Sequence, residues 1–348
     1  VRAITVVPLT KNSAELSEID DPAVGDGAVL VDTLSVGICG TDIEIVSGDY
    51  GWSPPGRDRL VLGHESLGRV AEAPAGSGFS SGDLVVGIVR RPDPVPCPAC
   101  AVGQWDACRN GEYTEHGIKS LDGFMRERYR AAPDALVALD PSLSAHGVLL
   151  EPTTVVAKAW AQTIAVGERA LFEPKTALIV GAGPIGLLAA LIGTQKGLDV
   201  HVVDQVTSGT KPDLVRKLGA TYHTGSPTDA LASADVVIEC TGVPSVIVAA
   251  AEAAAIGGVV CLTGISPTGG TTSFDLGSLA RAMVLGNKAI FGSVNANRGH
   301  YEEAAKVLAA ASPEWLDGVI SRRVPMASFH DALNREPNDV KVVIDIAS

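Results

Sequence analysis

Cys39 and the adjacent pair His64-Glu65 are the side chains of this sequence best suited to chemistry. They sit in glycine-punctuated segments, Val36-Gly37-Ile38-Cys39-Gly40-Thr41-Asp42 and Leu62-Gly63-His64-Glu65-Ser66-Leu67-Gly68. A thiolate, an imidazole and a carboxylate make a ligand set that holds Zn²⁺ while keeping one coordination position open to substrate. Zinc at such a site lowers the pKa of an alcohol. Asp42 can accept from the far nitrogen of a ligating histidine. The Thr41 hydroxyl can pass the substrate proton outward. Glu65 and Glu151, the latter in Leu150-Glu151-Pro152, compete for the third protein position, directly or through water. A lone Cys or His would more often be a small buried hydrophobe or a satisfied core histidine. It is their combination near a second motif that favours a metal.

That second motif is Val180-Gly181-Ala182-Gly183-Pro184-Ile185-Gly186, which follows an apolar strand and opens an apolar helix. Gly181 allows a tight turn, Gly183 lets a pyrophosphate approach the backbone, and Gly186 permits close helix–strand packing. The helix start offers amide donors and positive potential to the phosphates. Asp204, eighteen positions after Gly186, ends the next strand where an acidic residue would meet the adenosine ribose. Its carboxylate would repel a 2′-phosphate, so NAD is favoured over NADP, with Lys211 keeping NADP open. The competing reading is a turn that is glycine-rich only for packing. A metal and a dinucleotide together point to hydride transfer from an alcohol carbon.

The elements that must position these groups fall into two kinds. Residues 1 to about 150 carry short strand signals with Gly, Pro and Asp punctuation and read as mostly β. Val1 to Val7 alternates like a strand, Leu84 to Val89 is another, and Pro92 to Cys108 reads as a loop too irregular for regular structure. From about Thr153 to Glu168 the pattern is helical. Then come strands at Ala177–Val180, Val200–Asp204, Val236–Glu239 and Val259–Leu262, interleaved with helices at Ile185–Lys196 and Pro212–Leu218. Apolar strands alternating with helices indicate a parallel, doubly wound sheet. A helix at Tyr301–Ala311 and a closing strand at Val340–Ile346 end the chain. The fold class is α/β in two domains, with limits expected at 1–155 plus 295–348 and at 156–294.

The 348 residues suit two domains, and 46% hydrophobic with 19% charged residues is a globular composition. A formal charge of −13 argues against nucleic acid or an anionic membrane surface as a general partner. The N-terminus lacks the apolar region of a signal peptide, and no run is long enough to span a bilayer. Six cysteines in a chain of this size do not read as a disulfide framework, and a reducing cytoplasm is expected.

The chain resembles the zinc-dependent medium-chain dehydrogenases. The motifs carrying the resemblance are Gly37-Ile38-Cys39-Gly40-Thr41-Asp42, Gly63 to Val70, Gly82-Asp83-Leu84-Val85, Glu151-Pro152 and Gly181 to Gly186. Within that family it is most similar to the glucose (aldose) 1-dehydrogenases, through Tyr113 to Ile118, Asp122-Gly123-Phe124-Met125, Glu151-Pro152, Phe291 to Asn295 and His300. The resemblance implies a GroES-like, mostly β catalytic domain and a Rossmann domain. It implies that Glu115 and Glu151 bind sugar hydroxyls or the zinc, and that Ser293, Val294 and Asn295 border the nicotinamide and substrate. His300 would reach the sugar. Thr263 and Gly264 join the cofactor set, and Thr41 and Asn295 the substrate set. Without the resemblance, Glu115 and His300 would read as an exposed loop carboxylate and a solvated histidine at a helix start. One departure stands out: a carboxylate these enzymes often use on sugar, four positions after Glu151, is Val155 here.

Cys97, Cys100 and Cys108 resemble the family's structural zinc lobe, which has four cysteines, but Pro94 stands at the first of those positions. Asp93 or Asp106 would have to complete the set, and the effect on function would be small because such a metal braces a loop. The expected activity is oxidation of an aldose at C1 to a lactone by a homodimer or homotetramer. Two alternatives are weighed against it: the same chemistry on a polyol, cyclitol or other secondary alcohol, and a cofactor-binding protein without turnover.

Overall fold

The computed structural model describes residues 1–23, 28–266 and 269–347. It resolves into two compact units, Val1–Glu151 with Ala296–Ser348, and Pro152–Asn295. The limits differ by a few residues from those read in the sequence. The first break falls inside one helix, Leu150–Gly167, where composition carries no boundary signal.

In the first unit the main sheet has seven strands. Leu136–Leu139, Leu84–Gly87, Glu65–Glu72, Val29–Gly37, Lys341–Asp345 and Ile320–Pro325 lie side by side in that order, and Arg128–Ala131 also pairs with Val29–Gly37. Strand Val29–Gly37 is buried along most of its length. Its inward valines pack with Val70, Val85, Phe124 and Tyr129 in one cluster. Each fully buried aliphatic side chain of this kind contributes roughly 1.5–3 kcal/mol.

Register is what builds the site. Gly37 pairs with both Glu65 and Val343, so the ends of three strands meet where Cys39, His64 and Lys341 emerge. A glycine is required at position 37 because a Cβ there would lie 2.1 Å from Glu65 Oε2.

The second unit holds a six-stranded parallel sheet in the order Thr221–His223, Asp199–Val203, Thr176–Val180, Ala234–Glu239, Ala254–Leu262, Ala289–Gly292. The chain starts in the middle, winds to one edge and then crosses to the other. That leaves the first strand at the switch point where such sheets bind dinucleotides. Ala177 to Val180 are buried on both faces, which explains a strand without polar alternation. Helix Pro184–Gln195 follows directly and buries most of its surface. At Gly186 a Cβ would come within 1.8 Å of the Gly181 carbonyl oxygen, so helix and turn touch through backbone alone.

Several sequence expectations need correction. The Pro92–Cys108 stretch is not wholly irregular: it contains a helix, Pro98–Ala101, and a 3-10 turn, Trp105–Ala107. The strand expected to reach Val89 ends at Gly87. Edge strands Thr221–His223 and Ala289–Gly292, and helices Pro244–Ala253 and Leu276–Gly286, were not anticipated. The edge strands are short, and the alanine-rich helix lacks polar contrast, so neither periodicity is strong.

Candidate active site

Cys39 precedes helix Gly40–Val46, and its amide donates to Asp42 Oδ2 at 2.9 Å. The other oxygen of this fully buried carboxylate lies 3.6 Å from His64 Nδ1. Asp42 therefore links the two segments that carry Cys39 and His64. Ligand atoms of Cys39, His64 and Glu65 all lie within 4.8 Å of one another. Burial opposes a charge on His64, yet the Asp42 carboxylate and the Cys39 sulfur hold it well above the ordinary imidazole value. A neighbourhood that favours a cation this strongly suits a divalent ion. Thr41 Oγ1 lies 3.9 Å from Cys39 Sγ.

The two competing carboxylates differ in their partners. Both Glu65 oxygens accept from Lys341 Nζ, at 2.7 and 2.6 Å. Glu151 is buried, and its pKa is pushed up to about 7, chiefly by burial, with His64 pulling it down and Glu65 pushing it up. Glu115 is not an exposed loop carboxylate. It lies in strand Thr114–His116, is 7% exposed, and its Oε1 accepts from Arg90 Nε at 3.0 Å. The Arg90 guanidinium stacks 3.7 Å above the Tyr113 ring. His300 is the third residue of helix Arg298–Ala309, and its Nδ1 accepts from the Asn297 amide at 3.1 Å.

Cys97, Cys100 and Cys108 form a second cluster, again with sulfurs within 4.8 Å. The Arg109 amide donates to Cys97 Sγ at 3.4 Å and leads the effects that bring this thiol down to about 6, while burial pushes Cys100 up to about 11. For a fourth donor, Asp106 Oδ1 is already engaged by Asn297 Nδ2 at 3.0 Å. Asp93 Oδ2 is buried without a hydrogen-bond partner among the described residues. That orphaned oxygen is a candidate for the place left by Pro94, while only the three cysteines gather within 4.8 Å.

In the second unit, Gly183 begins helix Pro184–Gln195 with no side chain capping it, and a Cβ at Gly183 would meet no protein atom within 4 Å. Ala182, Pro184 and Ile185 complete the turn. Such a helix start accommodates a phosphate group. Asp204 Oδ2 accepts from the Ala182 amide at 2.6 Å and lies 3.9 Å from Lys211 Nζ. Thr263 and Gly264 both donate backbone amides to the Glu239 carbonyl, at 2.8 and 3.1 Å. Ser293 Oγ is buried without a hydrogen-bond partner among the described residues, Val294 is exposed, and Asn295 takes a left-handed φ of 61°. The Val294 carbonyl accepts from Lys158 Nζ at 2.9 Å.

Sequence reasoning missed Lys341, Arg90 and Lys158. A signal existed for two of them, a single cation in an otherwise apolar stretch, beside Val340 and Val342 and between Ala157 and Ala159, whereas Arg90 is followed by Arg91 and gives none. All three are buried, and a buried cation demands a specific partner.

Comparison with known proteins bears on the whole chain. A family model described as "Glucose dehydrogenase C-terminus" matches residues 144–346, and one described as "Alcohol dehydrogenase GroES-like domain" matches 25–141. The glucose 1-dehydrogenase of Methanocella arvoryzae is 37% identical over 359 residues, covering 100% of both chains. That of Thermoproteus tenax is 39% identical over 353 residues, covering 99% of both. Haloferax mediterranei glucose dehydrogenase, in a structure in complex with NADP, Zn and gluconolactone, superposes with a TM-score of 0.92 at 29% identity over 100% of both chains.

Proposed function

The chain belongs to the glucose dehydrogenase family, with an alcohol-dehydrogenase GroES-like domain and a Rossmann domain, and we propose that it oxidises a glucose-like aldose at C1 to the lactone with NAD(P) as acceptor. The observation that carries this reading is the convergence of Cys39 and His64 within 4.8 Å of each other, beside two buried carboxylates, Glu65 and Glu151.

Cys39, His64 and Glu151 would hold a zinc ion. Glu151 is preferred to Glu65 as the third protein ligand because Lys341 already satisfies both Glu65 oxygens. Burial is the main cause that raises the Glu151 carboxyl to about 7, and a divalent ion would offset that desolvation. When bound, zinc supplies Lewis-acid polarisation of the C1 hydroxyl and the nicotinamide supplies the hydride acceptor. Asp42 holds the Cys39 backbone and carries its other oxygen 3.6 Å from His64 Nδ1, where its charge would steady the ring. Thr41 takes the hydroxyl proton and passes it outward. Glu115 and His300 orient the sugar, since ionised carboxylates are strong acceptors for hydroxyl donors.

Gly181 to Gly186 receive the pyrophosphate, Asp204 the adenosine ribose, and Ser293 to Asn295 border the nicotinamide. The Asp204 carboxylate favours NAD, while Lys211 beside it leaves room for NADP. Cys97, Cys100, Cys108 and Asp93 would hold a second, structural zinc. Leu276, Val284 and Leu285, exposed on one helix, support a homo-oligomer formed through the cofactor domain. No helix among the described residues is long and apolar enough to cross a membrane. All six cysteines are free thiols, which suits a reducing cytoplasm.

Steady-state rates on a panel of aldoses, polyols and cyclitols, with NAD and NADP, test the reading. Preference for glucose or a near epimer, with zinc in the purified protein, is expected. A preference for polyols would overturn the sugar assignment.

A further inference from the structure

The Trp105–Ala107 turn runs directly into Cys108, whose amide donates to the Trp105 carbonyl at 3.1 Å. Its position is therefore tied to the cysteine cluster. From the same turn, contacts run toward both groups assigned to the sugar.

On one side, Arg90 Nη1 donates to the Asp106 carbonyl at 3.3 Å, while its Nε and Nη2 reach Glu115 Oε1 at 3.0 and 2.9 Å. Arg90 is 6% exposed and Glu115 7%. A planar guanidinium buried between two acceptors and stacked on Tyr113 has little freedom to turn. On the other side, Trp105 Nε1 donates to the Ala296 carbonyl at 3.1 Å, and Asp106 Oδ1 accepts from Asn297 Nδ2 at 3.0 Å. Asn297 caps the helix that begins at Arg298, and its amide donates to His300 Nδ1 at 3.1 Å.

We propose that the Trp105–Ala107 turn is a positioning element for the sugar. The cysteine cluster sets where the turn lies, and the turn sets Glu115 through Arg90 and His300 through Asn297. The cluster thus does more than brace a loop: its state is read out in sugar affinity. The inference rests on the assignment of Glu115 and His300 to the sugar. Trp105, Asp106 and Arg90 are positioning residues.

The test compares Cys108→Ser, Trp105→Phe, Asp106→Ala and Arg90→Lys with Glu115→Gln, each in the full-length protein. Readouts are sugar KM, kcat, NADH affinity by fluorescence, and amide hydrogen exchange over 113–116 and 298–301. Cys108→Ser and Asp106→Ala are expected to raise sugar KM about tenfold, with kcat and NADH affinity changed less than about twofold. Exchange should rise in both segments while strand Glu65–Glu72 keeps its protection. Arg90→Lys and Glu115→Gln should be non-additive when combined, because one acts through the other. If Glu115→Gln leaves sugar KM unchanged, the sugar assignment falls and the inference with it. If Glu115→Gln raises KM but the turn variants do not, the inference alone is wrong. Should Cys108→Ser not fold, Trp105→Phe and Asp106→Ala carry the test, since both leave the three cysteines in place.

Discussion

Lys341 donates to both carboxylate oxygens of Glu65, with the lysine 3% and the glutamate 1% exposed. The pair spans 276 positions of sequence and joins the closing strand to the strand that follows His64. Burial works against the lysine charge, but Glu65, Cys39 and Glu151 outweigh it and raise its pKa. Lys341 Nζ also donates to the Ile38 carbonyl at 3.0 Å. One cation thereby fixes the backbone just before Cys39 and the carboxylate just after His64.

Lys341→Met should leave the Glu65 carboxylate buried and uncompensated. A loss of about 3–5 kcal/mol in folding stability is expected for breaking such a pair. Adding Glu65→Gln should recover part of it, because the stranded charge is then removed. Chemical denaturation of the metal-free variants measures both. Equal stability of the single and double variants would contradict the pairing.

Much of the site was legible in the sequence because its groups lie in short local motifs. Cys39, Thr41 and Asp42 share one turn of chain, as do His64 and Glu65, and Gly181 to Gly186 follow their strand as a phosphate turn must. What escaped was long-range. Nothing local tells that Lys341 meets Glu65 or that Arg90 meets Glu115; strand register decides both. The same limit explains Glu115, which looked like a loop residue because strand Thr114–His116 is only three residues long.

His116 provides a pH dependence through a residue that is not itself a proposed metal ligand. Burial pulls its pKa down to about 4, and the Asp122 carbonyl accepts from its Nδ1 at 2.7 Å. An unfolded histidine takes up its proton near pH 6.5. Between about pH 6.5 and 4 the unfolded state therefore holds more protons, so stability falls as pH falls through that window. The loss should approach about 3 kcal/mol near pH 4. Denaturation midpoints of wild type and His116→Asn, followed from pH 7 to 4, check it. An unchanged slope in the variant would rule out this histidine as the source.

Asp204 is held by the Ala182 amide and lies near Lys211, and under the proposed function its charge would discriminate between cofactors. Asp204→Ser removes the repulsion a 2′-phosphate would meet and frees the lysine. The ratio of kcat/KM for NADP over NAD should rise about tenfold, or about 1.4 kcal/mol. An unaltered ratio would mean the ribose is recognised elsewhere.

Lys158 bears on the segment proposed to border the nicotinamide. Its ammonium, 4% exposed, donates to the Val294 carbonyl, and it does so from the helix that carries Glu151 in its first turn. The neighbouring backbone gives that contact its importance, because Asn295 is held at φ 61° and the buried Ser293 hydroxyl has no hydrogen-bond partner among the described residues. A hydrogen bond to a charged donor is worth about 1.5–3 kcal/mol, enough to hold a turn that would otherwise relax. Lys158→Met should therefore weaken NADH binding about tenfold. ADP-ribose, which has the same pyrophosphate and adenosine but no nicotinamide, should bind within about twofold of wild type. Lys158→Arg retains a donor and should restore most of the NADH affinity. If both ligands lose affinity equally, Lys158 supports the unit as a whole and has no particular hold on the nicotinamide segment.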